Sequence, residues 1–240
     1  MTRPGFERHA LKPRYDVPSI QEDAWHCYSG QRTTEIVSQA LAQSDTRCNR
    51  LLNAGSGCHR LQFASWEEVA IDLFPIPLLT HPLAVCASIE RLPFQSESFG
   101  AAVCVGEVLA YCDPAQALKE LARVLTPRGV LICDFGSSRS FKYRFTHSFG
   151  RAADLVVDSY NGLPENIWIY DPRYVKSVLE DLGLEISLEI GIHGWSAAAR
   201  RLGLSPLLSV TIERYLRWAP LPASCSDIMT FVARRTTTST

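Results

Sequence analysis

Apolar residues fall into short runs that switch between strand length and helical period. In R-L-L-N-A-G-S-G-C-H-R-L-Q-F-A-S-W-E-E-V-A-I-D-L-F-P (50–75), a short apolar strand (Leu51, Leu52) opens into a turn with two glycines, Gly55 and Gly57. A second strand, Val69 to Ile71, ends on the carboxylate of Asp72. Ahead of this stretch, 31–43 has helical spacing, with Ile36, Ala40 and Leu41 on one face and Thr33 or Thr34 as the cap. Behind it, Pro75, Pro77 and Pro82 exclude a long helix. A-V-C-A-S-I then reads as a short strand. A-A-V-C-V reads as a strand buried on both faces, with G-E-V-L-A-Y-C-D-P as a loop or short turn after it.

Pro114 to Leu125 is an amphipathic helix capped by Asp113, with Ala117, Leu118, Leu121, Val124 and Leu125 as its apolar face. V-L-I-C-D-F is the next buried strand. The order up to Phe135 predicts a mostly parallel sheet in an α/β fold. From 136 to 169 the periodicity fades into Ser, Arg and aromatic residues, the composition of a lid. Asp171 to Leu182 repeats the Asp-Pro helix start and stops at Gly183. L-E-I-S-L-E-I alternates as a strand, two short helical patterns fill 193–222, and D-I-M-T-F-V-A-R-R is a final strand. The domain organisation expected is an arm over 1–30, one domain over 31–235 with insert segments at about 136–170 and 193–222, and a disordered tail over 236–240.

Composition changes this picture little. Of 240 residues, 46% are hydrophobic and 20% charged, enough for one sizeable core. The net charge of −1 gives no basic excess for nucleic acid. No apolar run approaches the roughly 18 residues of a membrane span, and the N-terminus lacks a secretory apolar stretch. Eight cysteines admit a disulfide reading. Cys86, Cys104 and Cys133, however, sit inside apolar runs as small hydrophobes, and no C-x-x-C suggests a metal site. The expectation is a reduced, cytoplasmic protein without metal.

A strand that opens into a glycine turn lets a ligand approach the backbone, because glycine has no Cβ in the way. A carboxylate ending the next parallel strand is placed to accept hydrogen bonds from a ribose diol. The pairing points to a nucleoside-containing cofactor. A G-x-G-x-x-G dinucleotide turn would need a third glycine where Arg60 stands.

Four ordered blocks carry a family resemblance: L-L-N-A-G-S-G, V-A-I-D-L, S-I-E-R-L-P-F-Q-S-E-S-F-G-A-A-V-C-V-G-E-V-L and A-L-K-E-L-A-R-V-L-T-P-R-G-V-L-I. Over about residues 50 to 135 the chain resembles the class I S-adenosylmethionine-dependent methyltransferases of the small-molecule type. The resemblance implies a Rossmann-like, doubly wound, mostly parallel seven-stranded sheet with an antiparallel last strand. It implies S-adenosylmethionine as cofactor, held by Asn53, Ala54, Gly55, Gly57, Asp72, Leu73, Ser88, Ile89, Gly106 and Glu107. The activity implied is methyl transfer to a small-molecule acceptor, O- or N-methylation ahead of C-methylation. The alternative is a degenerate member that binds the cofactor or a ligand without moving the methyl group, as a cyclase-like enzyme, partner subunit or scaffold.

The sequence departs from the family at several places. Asn53 stands where Asp or Glu is usual, His59 where a third glycine is common, Ser88 where Asp reads the adenine, and Gly100 for the Asp of "SFD". Only residues 58 to 71 separate Gly57 from Asp72, so the crossover helix is short or absent. No catalytic residue is implied; His147, His193 and Glu107 are candidates for a base. Trp25 and Tyr28 either close over the cofactor or anchor the arm. Phe141, Tyr143, Phe145, Phe149, Tyr160, Trp168 and Tyr170 either line an apolar acceptor pocket or form a satellite core.

Overall fold

The computed structural model describes residues 24–160, 163–216, 218–219 and 221–236. Most of the expected arm, and the tail beyond Thr236, lie outside them. Helix α1 (Ala24–Ala42) precedes β1 (Arg50–Ala54) and β2 (Glu67–Asp72). A single helical turn α2 (Pro75–Leu78), β3 (Ala84–Cys86), β4 (Phe99–Cys104) and a 3₁₀ turn (Val108–Tyr111) follow. Helix α3 (Pro114–Val124) and β5 (Leu125–Gly136) complete the region read as α/β from its pattern. Next come a hairpin of β6 (Ala153–Tyr160) and β7 (Leu163–Tyr170), then α4 (Pro172–Asp181) and β8 (Leu184–Ile192). Helices α5 (Gly194–Arg201) and α6 (Pro206–Leu216) lead to the last strand, β9 (Ile228–Arg235).

Seven strands form one sheet in the order β3-β2-β1-β4-β5-β9-β8. Strands β1 to β5 pair in parallel, and β9 runs antiparallel to both β5 and β8. This is the expected Rossmann-like sheet. Its central strands are buried on both faces, so their sequences read as continuous apolar runs. Leu52, Ala102, Leu131 and Phe231 point to one face, under Leu118 and Leu121 of α3 and Val175 and Leu179 of α4. Leu51, Val103, Ile132 and Val232 point to the other, under Ile36, Val37 and Leu41 of α1 and Val210 of α6.

The caps follow the sequence. Asp113 accepts from the amides of Ala115 and Gln116, and Asp171 from that of Arg173. Two boundaries differ. Helix α1 reaches back at least to Ala24 and runs through Gly30, Thr33 and Thr34 instead of starting there. An interior glycine costs about 1 kcal/mol, and burial of Tyr28 two residues earlier offsets it. The Thr34 hydroxyl bonds back to the Gly30 carbonyl (2.8 Å). At the other end, Thr236, placed by its composition in the tail, is tied to Gly183 O by its amide (2.9 Å) and its hydroxyl (3.0 Å).

No helix occupies the crossover between β1 and β2. Leu61, Phe63 and Trp66 from that connection pack against the α1-side core in its place. Gly100 also has a steric reason. A Cβ there would lie 1.9 Å from the Cys48 carbonyl oxygen, so the lead-in to β1 passes directly over it.

Candidate functional site

The carboxyl ends of β1, β2, β4 and β5 meet at one edge of the sheet, where open α/β sheets bind ligands. Gly55 has φ +73°, and an added Cβ would sit 2.5 Å from Val108 Cγ2. Its amide and that of Ser56 both donate to Ile71 O, at 2.8 and 3.1 Å, which ties the turn to β2. Gly57 and Gly106 also have positive φ, at +50° and +86°, and a Cβ on either would meet nothing within 4 Å. Their missing side chains leave a cradle. Asp72 is 8% exposed. Its Oδ2 accepts from Gly57 N (2.9 Å) and its Oδ1 from Phe74 N (3.0 Å). A carboxylate oxygen has more than one acceptor direction, so both remain able to take a ribose hydroxyl. These residues fit S-adenosylmethionine.

Beneath this cradle, the buried Asn53 and His81 and the partly buried Glu68 hold the helix-less crossover. Asn53 Nδ2 donates to His59 O (2.9 Å) and Glu68 Oε1 (2.8 Å). Glu68 Oε2 accepts from the amides of Leu61 (3.0 Å) and Gln62 (3.3 Å). His81 places Nε2 3.0 Å from Gly57 O and Nδ1 3.5 Å from Glu68 Oε1.

Beside the cradle, Asp134 on β5 accepts from Gly106 N (2.9 Å) and Glu107 N (2.7 Å). Burial pushes the Asp134 carboxyl up to about 6, with the two amides pulling the other way. Glu107 itself is left-handed, φ 58° and ψ 29°, without being glycine. Its carboxyl stands over Gly136 and opens into a cavity of about 540 Å³. The residue as a whole is half-buried. Burial, then repulsion from Asp227 and Asp134, pushes it up to about 8. Among the described residues no hydrogen bond to this carboxyl is formed.

The cavity sets a group of charged side chains against apolar ones, Ile167, Ile169 and Ile228 among them. Lys142 Nζ donates to Asp158 Oδ2 (2.5 Å), and Ser140 Oγ to Asp227 Oδ1 (2.9 Å). Tyr111 donates to Glu165 Oε2 (3.0 Å). Burial works against the Lys142 charge, but Asp227, Tyr143 and Asp158 more than offset it, and the ammonium is pushed up. Burial also raises Asp227, against Lys142 and the Ser140 hydroxyl. Trp25, His26 and Tyr143 also line it, and Arg200 and Arg201 lie toward the exposed side.

Asn53, Ala54, Gly55, Gly57, Asp72, Leu73, Gly106 and Glu107 all fall at this sheet edge, though Asn53 turns its amide toward the crossover. Ser88 and Ile89 follow β3. The Ser88 hydroxyl bonds with Glu90, and Ile89 is buried in the α3-side core. Of the candidate bases only Glu107 lines the cavity. The side chain of His147 is 78% exposed, 3.5 Å from Asp154. His193 is fully buried, stacks on Trp25 at 3.6 Å between ring centroids and lies 2.9 Å from Ser196 Oγ. Trp25 and Tyr28 anchor α1 against this histidine, and Trp25 also reaches the cavity. The aromatic set divides. Tyr143 lines the cavity, Tyr170 is in the main core with its hydroxyl on Leu109 O (3.0 Å), and Phe145 is 80% exposed.

The periodicity does not reveal Lys142, Asp158, Glu165 and Asp227, which three separate segments bring together. One signal was available. Asn161-Gly162 stands between two strand-length runs, the mark of a two-residue hairpin, and the register pairs Tyr160 with Leu163 on either side.

Residues 52–133 match the family described as a methyltransferase domain. A demethylmenaquinone methyltransferase of Deinococcus radiodurans is 30% identical over 125 residues, covering 46% of this chain and 52% of that protein. The chain thus spans about half the length of the curated relative it matches. Among solved structures, the 4+2 cyclase SpnF superposes with a TM-score of 0.59 at 16% identity, over 91% of this chain and 85% of that one. A geranyl diphosphate C-methyltransferase from Streptomyces coelicolor, solved with S-adenosyl-L-homocysteine, gives a TM-score of 0.57 at 14% identity, over 92% and 87%. At these identities the structural likeness speaks for the fold, the Rossmann-like methyltransferase fold. The resemblance to S-adenosylmethionine-dependent methyltransferases, and the cofactor it implies, stand on these matches.

Proposed function

We propose that the chain transfers a methyl group from S-adenosylmethionine to a polar small molecule bearing an ionisable N–H or O–H, bound in the cavity beside Glu107. The observation that carries this reading is the adjacency of two unlike sites at one sheet edge. A glycine cradle with a ribose-type acid joins, through Gly106 and Glu107, a charged cavity large enough for a metabolite.

When bound, the cofactor would supply an electrophilic methyl group on a sulfonium, which the acceptor's N or O would take in exchange for the carbon–sulfur bond. Asp72 and the glycine turn hold the nucleoside end and align it, and most of the rate comes from proximity. Glu107, as the carboxylate, takes the proton that the acceptor must lose. A base with its value near 8 is well matched to that task at neutral to mildly alkaline pH. Asp134 acts through Glu107, by holding the two amides that set its left-handed backbone. A reducing, cytoplasmic setting belongs to this reading, since Cys104 and Cys133 serve as buried core side chains. So does the absence of a nucleic-acid partner, given the net charge of −1.

Calorimetric titration with S-adenosylmethionine and S-adenosylhomocysteine tests the cofactor half. Binding is expected, and Asp72→Ala should weaken it about tenfold or more, since charge-assisted hydrogen bonds contribute roughly 1.5–3 kcal/mol. Failure of the wild-type chain to bind either ligand overturns the reading. Binding without turnover across a panel of amine and hydroxyl acceptors turns it toward a fold that holds the cofactor without methyl transfer.

A further inference from the structure

In a parallel β-crossover-β unit, the connecting helix packs on the sheet and so fixes the turn that feeds it. This chain has no helix between Gly55 and Trp66, yet the turn has a defined shape. Three polar side chains, two of them buried and Glu68 partly so, converge on it. Asn53 comes from β1, Glu68 from β2, and His81 from just beyond the α2 turn. We propose that Asn53, Glu68 and His81 form a positioning clamp that takes the place of the missing crossover helix and sets the affinity for the cofactor, with His81 as its decisive member. This rests on the cofactor reading above.

The clamp holds the crossover at four points: Gly57 O, His59 O, Leu61 N and Gln62 N. Gly57 is the critical one. A Cβ there would meet nothing within 4 Å, so packing does little to steady it. Its amide donates to Asp72 Oδ2 at 2.9 Å, while its carbonyl lies 3.0 Å from His81 Nε2. A carbonyl can only accept, so Nε2 carries the proton. One glycine therefore links His81 to the acid that faces the ribose. Removing the histidine donor frees the turn and lets the amide that orients Asp72 drift. His81 itself is well fixed. Its amide donates to Leu78 O (3.0 Å), its side chain is 1% exposed, and the following Pro82 restricts its backbone. The clamp also accounts for Asn53 standing where the family carries an acid. An amide can donate to both His59 O and Glu68, which a carboxylate cannot do.

The test is calorimetric titration of S-adenosylhomocysteine into the wild-type chain and three variants, with thermal midpoints measured without ligand. His81→Phe keeps a ring but no donor. His81→Gln has an amide nitrogen that reaches the same carbonyl, and the amide of His81→Asn falls short. Affinity should drop about tenfold in His81→Phe and His81→Asn, the scale of one lost hydrogen bond. His81→Gln should recover most of it. The midpoints of the Gln and Asn variants should agree within about 2 °C, so that general destabilisation is not the cause. If Phe fails to fold, the Gln–Asn pair decides alone. Equal affinity across the variants, or a Gln variant as weak as Asn, overturns the clamp and leaves the cofactor reading intact. No binding by the wild-type chain overturns both.

Discussion

Glu107 combines two costs. Its backbone is left-handed without being glycine, and its carboxyl is held among Asp227, Asp134 and Asp158 with Lys142 as the nearby counter-charge. Such costs persist where surrounding structure over-determines them, and Asp134 with its two amide contacts does so here. The consequence for stability has a definite sign. In the unfolded chain Glu107 ionises near its ordinary 4.5, and in the folded chain near about 8. Between these values the folded state binds the extra proton, so stability falls as pH rises through that window and levels above it. Asp134 adds the same slope between about 3.8 and about 6. Glu107→Gln should flatten the upper part of the curve. At pH 8 it should unfold later than wild type, by on the order of 2 kcal/mol once contact with the cavity is allowed for. Urea denaturation at pH 5 and pH 8 checks this; a variant whose stability changes with pH as steeply as wild type refutes it. Turnover should move the other way in pH, rising toward a plateau above about 8 as the carboxylate forms. A second residue-scale prediction concerns Gly55. Gly55→Ala brings a Cβ within 2.5 Å of Val108 Cγ2 at φ +73° and should cost about 2 kcal/mol or more. Adding Val108→Ala should return only the steric part, because the positive φ remains. Full recovery in thermal unfolding would show that backbone strain contributes nothing.

At the scale of elements, legibility followed local physics. Helices α3 and α4 announce themselves through Asp-Pro starts and a continuous apolar stripe, and their caps form as read. The central strands are apolar because both faces are covered. Asp72 and the glycine turn were legible because a close approach and a strand-end acid are short-range features. Three things were not. The start of α1 was hidden by Gly30, since a local breaker was overridden by burial of Tyr28. Hairpin β6–β7 was hidden because it forms a separate two-stranded sheet and faces a charged cavity, so its alternation is not simply apolar against polar. The cavity was hidden because Glu107, Lys142 and Asp227 are far apart in sequence, and no spacing rule connects them. Gly100 illustrates a signal read as mere departure. It replaces a common Asp, and the reason is the Cys48 carbonyl 1.9 Å from where a Cβ would be. Backbone cannot yield as a side chain can. Gly100→Ala should therefore destabilise by about 3 kcal/mol, and chemical denaturation should detect it readily. A loss under about 1 kcal/mol would mean that the lead-in to β1 is loosely held.

For the molecule as a whole, apolar packing is divided in a way that separates its two proposed tasks. The two large cores lie on the two faces of the seven-stranded sheet and include the strands that carry the cradle. A third, small cluster of Ala110, Tyr143, Ile167 and Ile169 lies under the cavity and draws on the hairpin. Strand β7 meets the rest of the fold along its second half: Glu165 accepts from Tyr111, Ile167 and Ile169 join that small cluster, and Tyr170 enters the main core and pairs with Ser137. The outer hairpin supplies Asp158, Glu165 and Ile167 to the cavity but nothing to the cradle. Leu155 and Trp168 are directly opposed in register, so a Gly-Gly turn can join them after deletion of 156–167. The shortened chain should keep both large cores. Its affinity for S-adenosylhomocysteine should stay within about threefold of wild type, because the change in that free energy is under about 0.7 kcal/mol if the sites are independent. It should lose methyl transfer to whatever acceptor the wild type accepts, since Asp158 and Glu165 are removed from the charged wall. Calorimetry and circular dichroism report the first pair of outcomes and a turnover assay the last. Loss of cofactor binding together with the hairpin would mean that the lid and the cradle fold as one unit, and that acceptor specificity cannot vary without disturbing the cofactor site.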